Sequence, residues 1–293
     1  MAPLPPETRM GPVELTVSDL DRSLDYYRSA IGLRVLEQDN GRASLGGDSE
    51  LLVLDEVPGA RPAPRNTGLF HFALLVPERR ALASWLAHAI RDQVPLTGVS
   101  DHFVSEALYL RDPDAHGIEI YADRPRELWE GHVERMTTEP LDLENLLGEL
   151  DDPETESFDG LPGGTVIGHV HLQVADIPAT IGFYRDVLGF ELMTSFGEQA
   201  AFLAAGGYHH HVGANTWNSA GAPPPPDDSA SLRLATIVLP DADARDEALA
   251  RIAESGQEPE DGIVRDPSRN RLLLKEAERA RFSTTRGASR SEP

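Results

Sequence analysis

"VSDLDRSLDYYRSAIGL" (17–33) recurs without a gap as "VADIPATIGFYRDVLGF" (174–190), and this repeat decides the fold. Asp19 falls on Asp176, Tyr27 on Tyr184, Arg28 on Arg185 and Gly32 on Gly189. A second pair follows, "LRDPDAHGIEIY" (110–121) with "VRDPSRNRLLLK" (264–275). The repeating block is therefore about half the chain. Each half divides again. The alternating stretches "VELTV", "HFALLV", "HVHLQV" and "RLATIVL" read as leading strands. Amphipathic helices follow over 20–30, 78–92, 177–187 and 241–255, and short strands broken by Gly, Asp and Pro come next. Asp19 and Asp176 are placed to cap their helices, and Gly32 and Gly189 to end them in left-handed geometry.

The pattern predicts an α+β fold of four strand–helix–strand–strand–strand units, starting near 12, 70, 168 and 232. Units one and two form a first half over 11–125, and units three and four a second over 165–276. Between them, 126–164 reads as an acidic surface connector with a helical stretch at "LDLENLLGEL". Residues 277–293 read as a polar, disordered tail.

Composition narrows the chemistry. A formal net charge of −23 argues against nucleic acid, whose phosphates need Lys and Arg. With no cysteine, thiol nucleophiles, disulfides, iron–sulfur clusters and cysteine-ligated zinc are excluded. Any metal must use His and carboxylate. No apolar run reaches the roughly 18 residues of a membrane span. The opening "MAPLPPETRM" has no apolar core of signal-peptide length, so the expected location is the cytoplasm.

Superposing the units puts Pro12, His71, His169 and Arg233 at equivalent leading positions, and on the last strands unit two carries Glu119 where unit four carries Leu273. Units two and three hold nearly all the ligand-type side chains. Strand alternation sends His71, His169 and Glu119 to the faces turned away from the core. If two such sheets curl into one cup, the three donors converge. Two imidazoles and a carboxylate on one face of an ion leave open positions and suit non-haem Fe(II), although Mn(II), Zn(II) or Ni(II) would also be accepted.

The stretch "DHFVSEALYLRDPDAHGIE" (101–119) resembles the signature of the extradiol ring-cleavage dioxygenases of the vicinal oxygen chelate superfamily, nearest the bacterial catechol-2,3-dioxygenase branch. The signature residues are His102, Leu108, Tyr109, Asp112, Pro113 and Glu119, and the resemblance covers roughly 11–276. Gly98 stands one residue too far before the His, and Ala115 occupies a place usually held by Gly. The resemblance implies Fe(II), with Mn(II) as a substitute, held by His71, His169 and Glu119. It also implies His210 as the acid/base beside dioxygen, with His102 and Tyr109 near the substrate oxygens. The implied partners are a small aromatic diol and O2, with homo-oligomerisation left open. In the well-known two-domain members the signature lies in unit four. Here it lies in unit two, so a complete triad requires unit two to pair with three and unit one with four.

Plainer readings stand beside these. His171 shares a face with His169 and is expected near the site rather than in the triad. His209–His211 could be a surface metal-binding run, and strand parity sets His210 opposite its neighbours without saying which way is inward. His88, His116 and His132 read as solvated, Tyr27 and Tyr184 as core, and Asn215 and Trp217 as pocket candidates. A glyoxalase-type isomerase or lyase and a small-molecule-binding protein without catalysis are the competing functions. The first does not need the His102, Tyr109 and His210 set, and relatives of the second kind typically lack a complete triad.

Overall fold

The computed structural model describes residues 2–278, so the expected tail lies almost wholly outside the described residues. Unit one comprises β1 (Arg9–Val17), α1 (Leu20–Tyr26), β2 (Arg34–Asp39), β3 (Arg42–Gly46) and β4 (Glu50–Glu56). A two-residue strand, β5 (Arg61–Pro62), leads to unit two: β6 (Gly68–Leu75), α2 (Arg79–Arg91), β7 (Gly98–Asp101), β8 (Ser105–Arg111) and β9 (Gly117–Asp123). After α3 (Leu143–Leu147) comes unit three: β10 (Val166–Gln173), α4 (Ile177–Ile181), β11 (Glu191–Phe196), β12 (Ala200–Ala204) and β13 (Val212–Asn215). The short β14 (Ser229–Ala230) precedes unit four: β15 (Leu232–Leu239), α5 (Ala242–Glu254), β16 (Ile263–Arg265) and β17 (Arg271–Glu276). Among the described residues, no helix is long and apolar enough to cross a membrane.

Two large sheets result. One runs β16-β17-β15-β1-β4-β3-β2 and the other β11-β12-β13-β10-β6-β9-β8-β7, while β5 and β14 pair alone. One continuous apolar core joins Leu15 and Leu54 of the first sheet, Phe72, Leu74 and Leu172 of the second, and Leu24, Trp85 and Ile252 of the helices. The opposite face of the eight-stranded sheet is left to line a cavity.

Several expectations change in detail. Unit four has two strands after its helix rather than three. The helices at 20–30 and 177–187 begin as α-turns and widen into π-turns at Tyr27–Ile31 and Gly182–Leu188. Their caps form as the sequence requires. Asp19 accepts from the Arg22 amide at 2.9 Å and Asp176 from the Ala179 amide at 2.6 Å. Gly32 and Gly189 close the helices at φ 88° and 97°, where a side chain would be strained. His88 and His116 are buried, not solvated. His88 stacks on Phe158 with ring centres 4.2 Å apart, and His116 Nε2 donates to the Thr16 carbonyl at 2.9 Å. The acidic segment is more than a solvated connector, because Trp129, Val133, Met136, Leu146 and Leu150 are all buried.

Candidate active site

The central strands of the eight-stranded sheet carry the donors in rows. His169 on β10 pairs with Ala73 on β6, Ala73 pairs with Glu119 on β9, and Glu119 pairs with Tyr109 on β8. Two residues along, His171 on β10 pairs with His71 on β6. Small residues make room around these side chains. A side chain at Gly117 would meet the Phe70 carbonyl at 2.1 Å and the His71 Cβ at 3.0 Å, and one at Gly213 would meet His171 Nδ1 at 2.7 Å. Ala73, wholly buried between His169 and Glu119, lets those two reach over it.

His71 Nε2 and His169 Nε2 stand 3.3 Å apart, and both face Glu119 Oε2, at 2.9 and 3.1 Å. Ligands at right angles with bonds near ~2.1 Å lie roughly 3.0 Å apart, and tetrahedral ligands roughly 3.4 Å. The observed spacings of 2.9, 3.1 and 3.3 Å fall around and between these two values, so the donor set fits a divalent ion with positions left open. Burial alone would raise the Glu119 carboxyl, but the His169 and His71 imidazoles outweigh it and hold Glu119 well below its ordinary range. Burial pushes His169 down to about 4. At neutral pH the site therefore offers an ionised carboxylate and, at His169, an imidazole with a free lone pair.

The cavity above the triad has a volume of ≈ 640 Å³ and is lined by His102, Tyr109, His171, Phe202, His210 and Trp217, among others. His102 Nδ1 lies 2.6 Å from the Thr137 carbonyl, which can only accept, so this nitrogen carries the proton. His102 Nε2 is then an acceptor, and the Tyr109 hydroxyl donates to it at 2.6 Å. Burial and the Glu119 carboxylate hold Tyr109 far above its ordinary range, so it stays a phenol. The His210 ring lies 4.0 Å from that of His169, and burial pushes His210 well down.

The structure thus brings His71, Glu119, His169, His102, Tyr109 and His210 around one cavity. His171 lies beside the triad, its ring centre 4.9 Å from that of His71. Trp217 stands at the cavity wall, whereas Asn215 is fully buried in β13. His209–His211 precede β13 rather than lying on it, so strand parity does not apply to them. His209–His211 are all buried, so they are not a surface metal-binding run. Two residues that reach this group were not singled out in the sequence: Thr137, which lies in the acidic segment, and Asp123. His209 Nε2 lies 2.8 Å from Asp123 Oδ1, and His209 Nδ1 lies 2.8 Å from His210 Nδ1. An Asp at the end of a strand that carries a metal-type Glu was the available signal. Asp112 of the signature serves the turn. It accepts from the Asp114 and His116 amides at 2.9 and 2.8 Å and from the Tyr27 hydroxyl at 2.9 Å. Ala115 has φ +67°, the left-handed geometry in which glycine is the unstrained residue.

A curled sheet with two histidines and a glutamate on its inner face defines a class of metal-dependent enzymes. The chain belongs to the Glyoxalase/Bleomycin resistance protein/Dioxygenase superfamily, whose model matches residues 9–120 and 166–278. It is 42% identical over 273 residues to a catechol-2,3-dioxygenase of Bacillus subtilis (strain 168), covering 89% of this chain and 94% of that protein. In fold it is similar to a putative dioxygenase from Bacillus subtilis subsp. subtilis str. 168, with a TM-score of 0.60 at 17% identity over 92% of this chain and 85% of that one. Glyoxalase I from Zea mays is also similar, with a TM-score of 0.56 at 18% identity over 92% of each chain.

Proposed function

We propose that this protein is an extradiol dioxygenase, which opens a catechol ring with O2 at a mononuclear Fe(II) centre held by His71, His169 and Glu119. The observation that carries this reading is the placement of the His102–Tyr109 pair and His210 beside the triad in one cavity. An isomerase on the same fold would use the metal donors but has no need of that set. Iron, when bound, supplies Lewis acidity and the one-electron redox chemistry that O2 requires. Mn(II) suits the same donors.

The protein's own groups do the rest. Thr137 fixes the tautomer of His102, and His102 takes the Tyr109 proton in a hydrogen bond. The Tyr109 oxygen is left with lone pairs to accept from a catechol hydroxyl. His210, kept neutral by burial, takes a proton from the substrate and returns it to the product side. Phe202 and Trp217 give the ring apolar walls. We also read the units as paired two with three and one with four, within halves at 11–125 and 165–276 joined by 126–164. The strand order of the two sheets supports that pairing.

The test is anaerobic loading with Fe(II), addition of catechol, then admission of air. A yellow ring-opened product that needs both iron and oxygen is expected. Glu119→Ala should lose iron. His210→Phe should keep iron and lose about 10²-fold or more of the turnover. Full-rate cleavage by the iron-free protein would sink the proposal.

A further inference from the structure

His210 does not stand alone. Behind it, away from the triad, His209 is fully buried and its ring is clamped, with Tyr208 at 4.0 Å between ring centres and Trp129 edge-on at 5.6 Å. Both ring nitrogens of His209 are engaged. Nε2 meets Asp123 Oδ1 at 2.8 Å, and Nδ1 meets His210 Nδ1 at 2.8 Å. Asp123 itself is partly exposed, at 25% of its side chain, so the chain of contacts runs from the surface to the cavity.

Two imidazole nitrogens at hydrogen-bond distance need one proton between them, and the geometry decides where it sits. An ionised carboxylate can only accept, so His209 Nε2 carries a proton. Neutral His209 then has a bare Nδ1, which must accept. His210 Nδ1 is therefore the donor, and His210 Nε2 is left as a lone pair for the cavity. An isolated imidazole has no such constraint.

We propose that Asp123 and His209 are positioning residues that fix His210 as its Nδ1–H tautomer, with Nε2 presented to the substrate as a base. The proposal rests on the catalytic role given to His210 above. Its proton traffic balances within the chain of three. When His210 Nε2 takes a proton from a substrate hydroxyl, the Nδ1 proton can pass to His209 Nδ1. His210 is then neutral with a proton on Nε2, and His209 is a cation paired with Asp123. Reversal returns the proton to His210 Nδ1, and the Nε2 proton goes to the product.

The test has two arms. In steady-state ring cleavage by iron-loaded enzyme, Asp123→Asn and His209→Phe should each lower kcat by about 10- to 100-fold, the usual range for a residue supporting a reacting one. KM for catechol and iron per chain should stay within about twofold. Asp123→Glu, which keeps the charge, should recover most of the lost rate. In the second arm, histidine ¹⁵N spectra are recorded on the full-length protein loaded with diamagnetic Zn(II). His210 should appear as the Nδ1–H tautomer in the wild type, and as the Nε2–H tautomer once His209→Phe removes the acceptor. Unchanged kcat in both variants, or an Nε2–H His210 in the wild type, would overturn the proposal. The spectra need no turnover. A protein that fails to cleave catechol at all therefore sinks the dioxygenase reading, while the tautomer still tests this one.

Discussion

Ala73 sets the spacing of the three donors. It stands between His169 and Glu119 in one row of the sheet, and a larger side chain there would rise into the space over which those two meet. Ala73→Leu should leave the sheet formed at a cost of about 1–3 kcal/mol from overpacking, yet abolish stoichiometric metal. Far-UV circular dichroism and metal per chain by elemental analysis separate the two effects. Retention of one iron per chain would remove Ala73 from this account. At this scale the triad was legible, because His71, His169 and Glu119 lie on strands whose alternation fixes their faces. That His210 faces the cavity could be expected only through resemblance, since it sits in the turn before β13, where no periodicity acts. His88 and His116 misled, because a polar side chain in a helix or turn reads as solvated until its long-range acceptors are known. Those acceptors are carbonyls 59 and 100 residues away, at Ser29 and Thr16.

Elements meet through a repeated clasp. The Tyr27 hydroxyl on the π-turn after α1 donates to Asp112 Oδ2 at 2.9 Å, and Tyr184 after α4 donates to Asp266 Oδ2 at 3.3 Å. The sequence repeat aligns both partners of both pairs, Tyr27 with Tyr184 and Asp112 with Asp266, in the alignment of 17–33 with 174–190 and of 110–121 with 264–275. Neither hydroxyl bond could be read there, because an aromatic at helical spacing signals core packing and nothing about its oxygen. The widening to π-turns was also hidden, since Gly32 and Gly189 mark only where the helix stops. Tyr27→Phe should cost roughly 1–2 kcal/mol, as it leaves a buried carboxylate with one donor fewer. Tyr184→Phe should cost less, since its bond is longer and Asp266 keeps the Ser268 and Asn270 amides and the Asn270 side chain. Urea midpoints decide it, and the reverse order would contradict the clasp. The acidic segment is the element whose role its composition concealed. Its charges mark it as surface, whereas its backbone supplies the Thr137 carbonyl that orients His102.

Over the whole molecule, the two sheets share a plan and differ in what they enclose. In the seven-stranded sheet the cluster is made of ion pairs, with Arg42 on Glu14 and Asp55, and Arg233 on Asp55. In the eight-stranded sheet it is a group of buried histidines, and that asymmetry has a pH consequence. Burial pushes His169 down to about 4 and His211 to about 3, and it lowers His171 and His210 as well. An unfolded chain protonates these near 6.5, whereas the folded chain does not. Between those values the unfolded state binds more protons, so stability is full above about pH 6.5 and falls as pH drops. From pH 7 to 5, His169 and His211 should each remove about 2 kcal/mol. Asp266 acts in the opposite sense. Burial raises it to about 6, so protonation in the folded state returns about 1 kcal/mol over the same interval. The histidines outnumber it, and chelator-stripped protein should lose several kcal/mol of unfolding free energy between pH 7 and 5. Urea titrations at pH 7, 6 and 5 measure this. A midpoint that holds or rises on acidification would mean that these imidazoles accept protons in the folded state, and that the cavity is wetter than its burial implies.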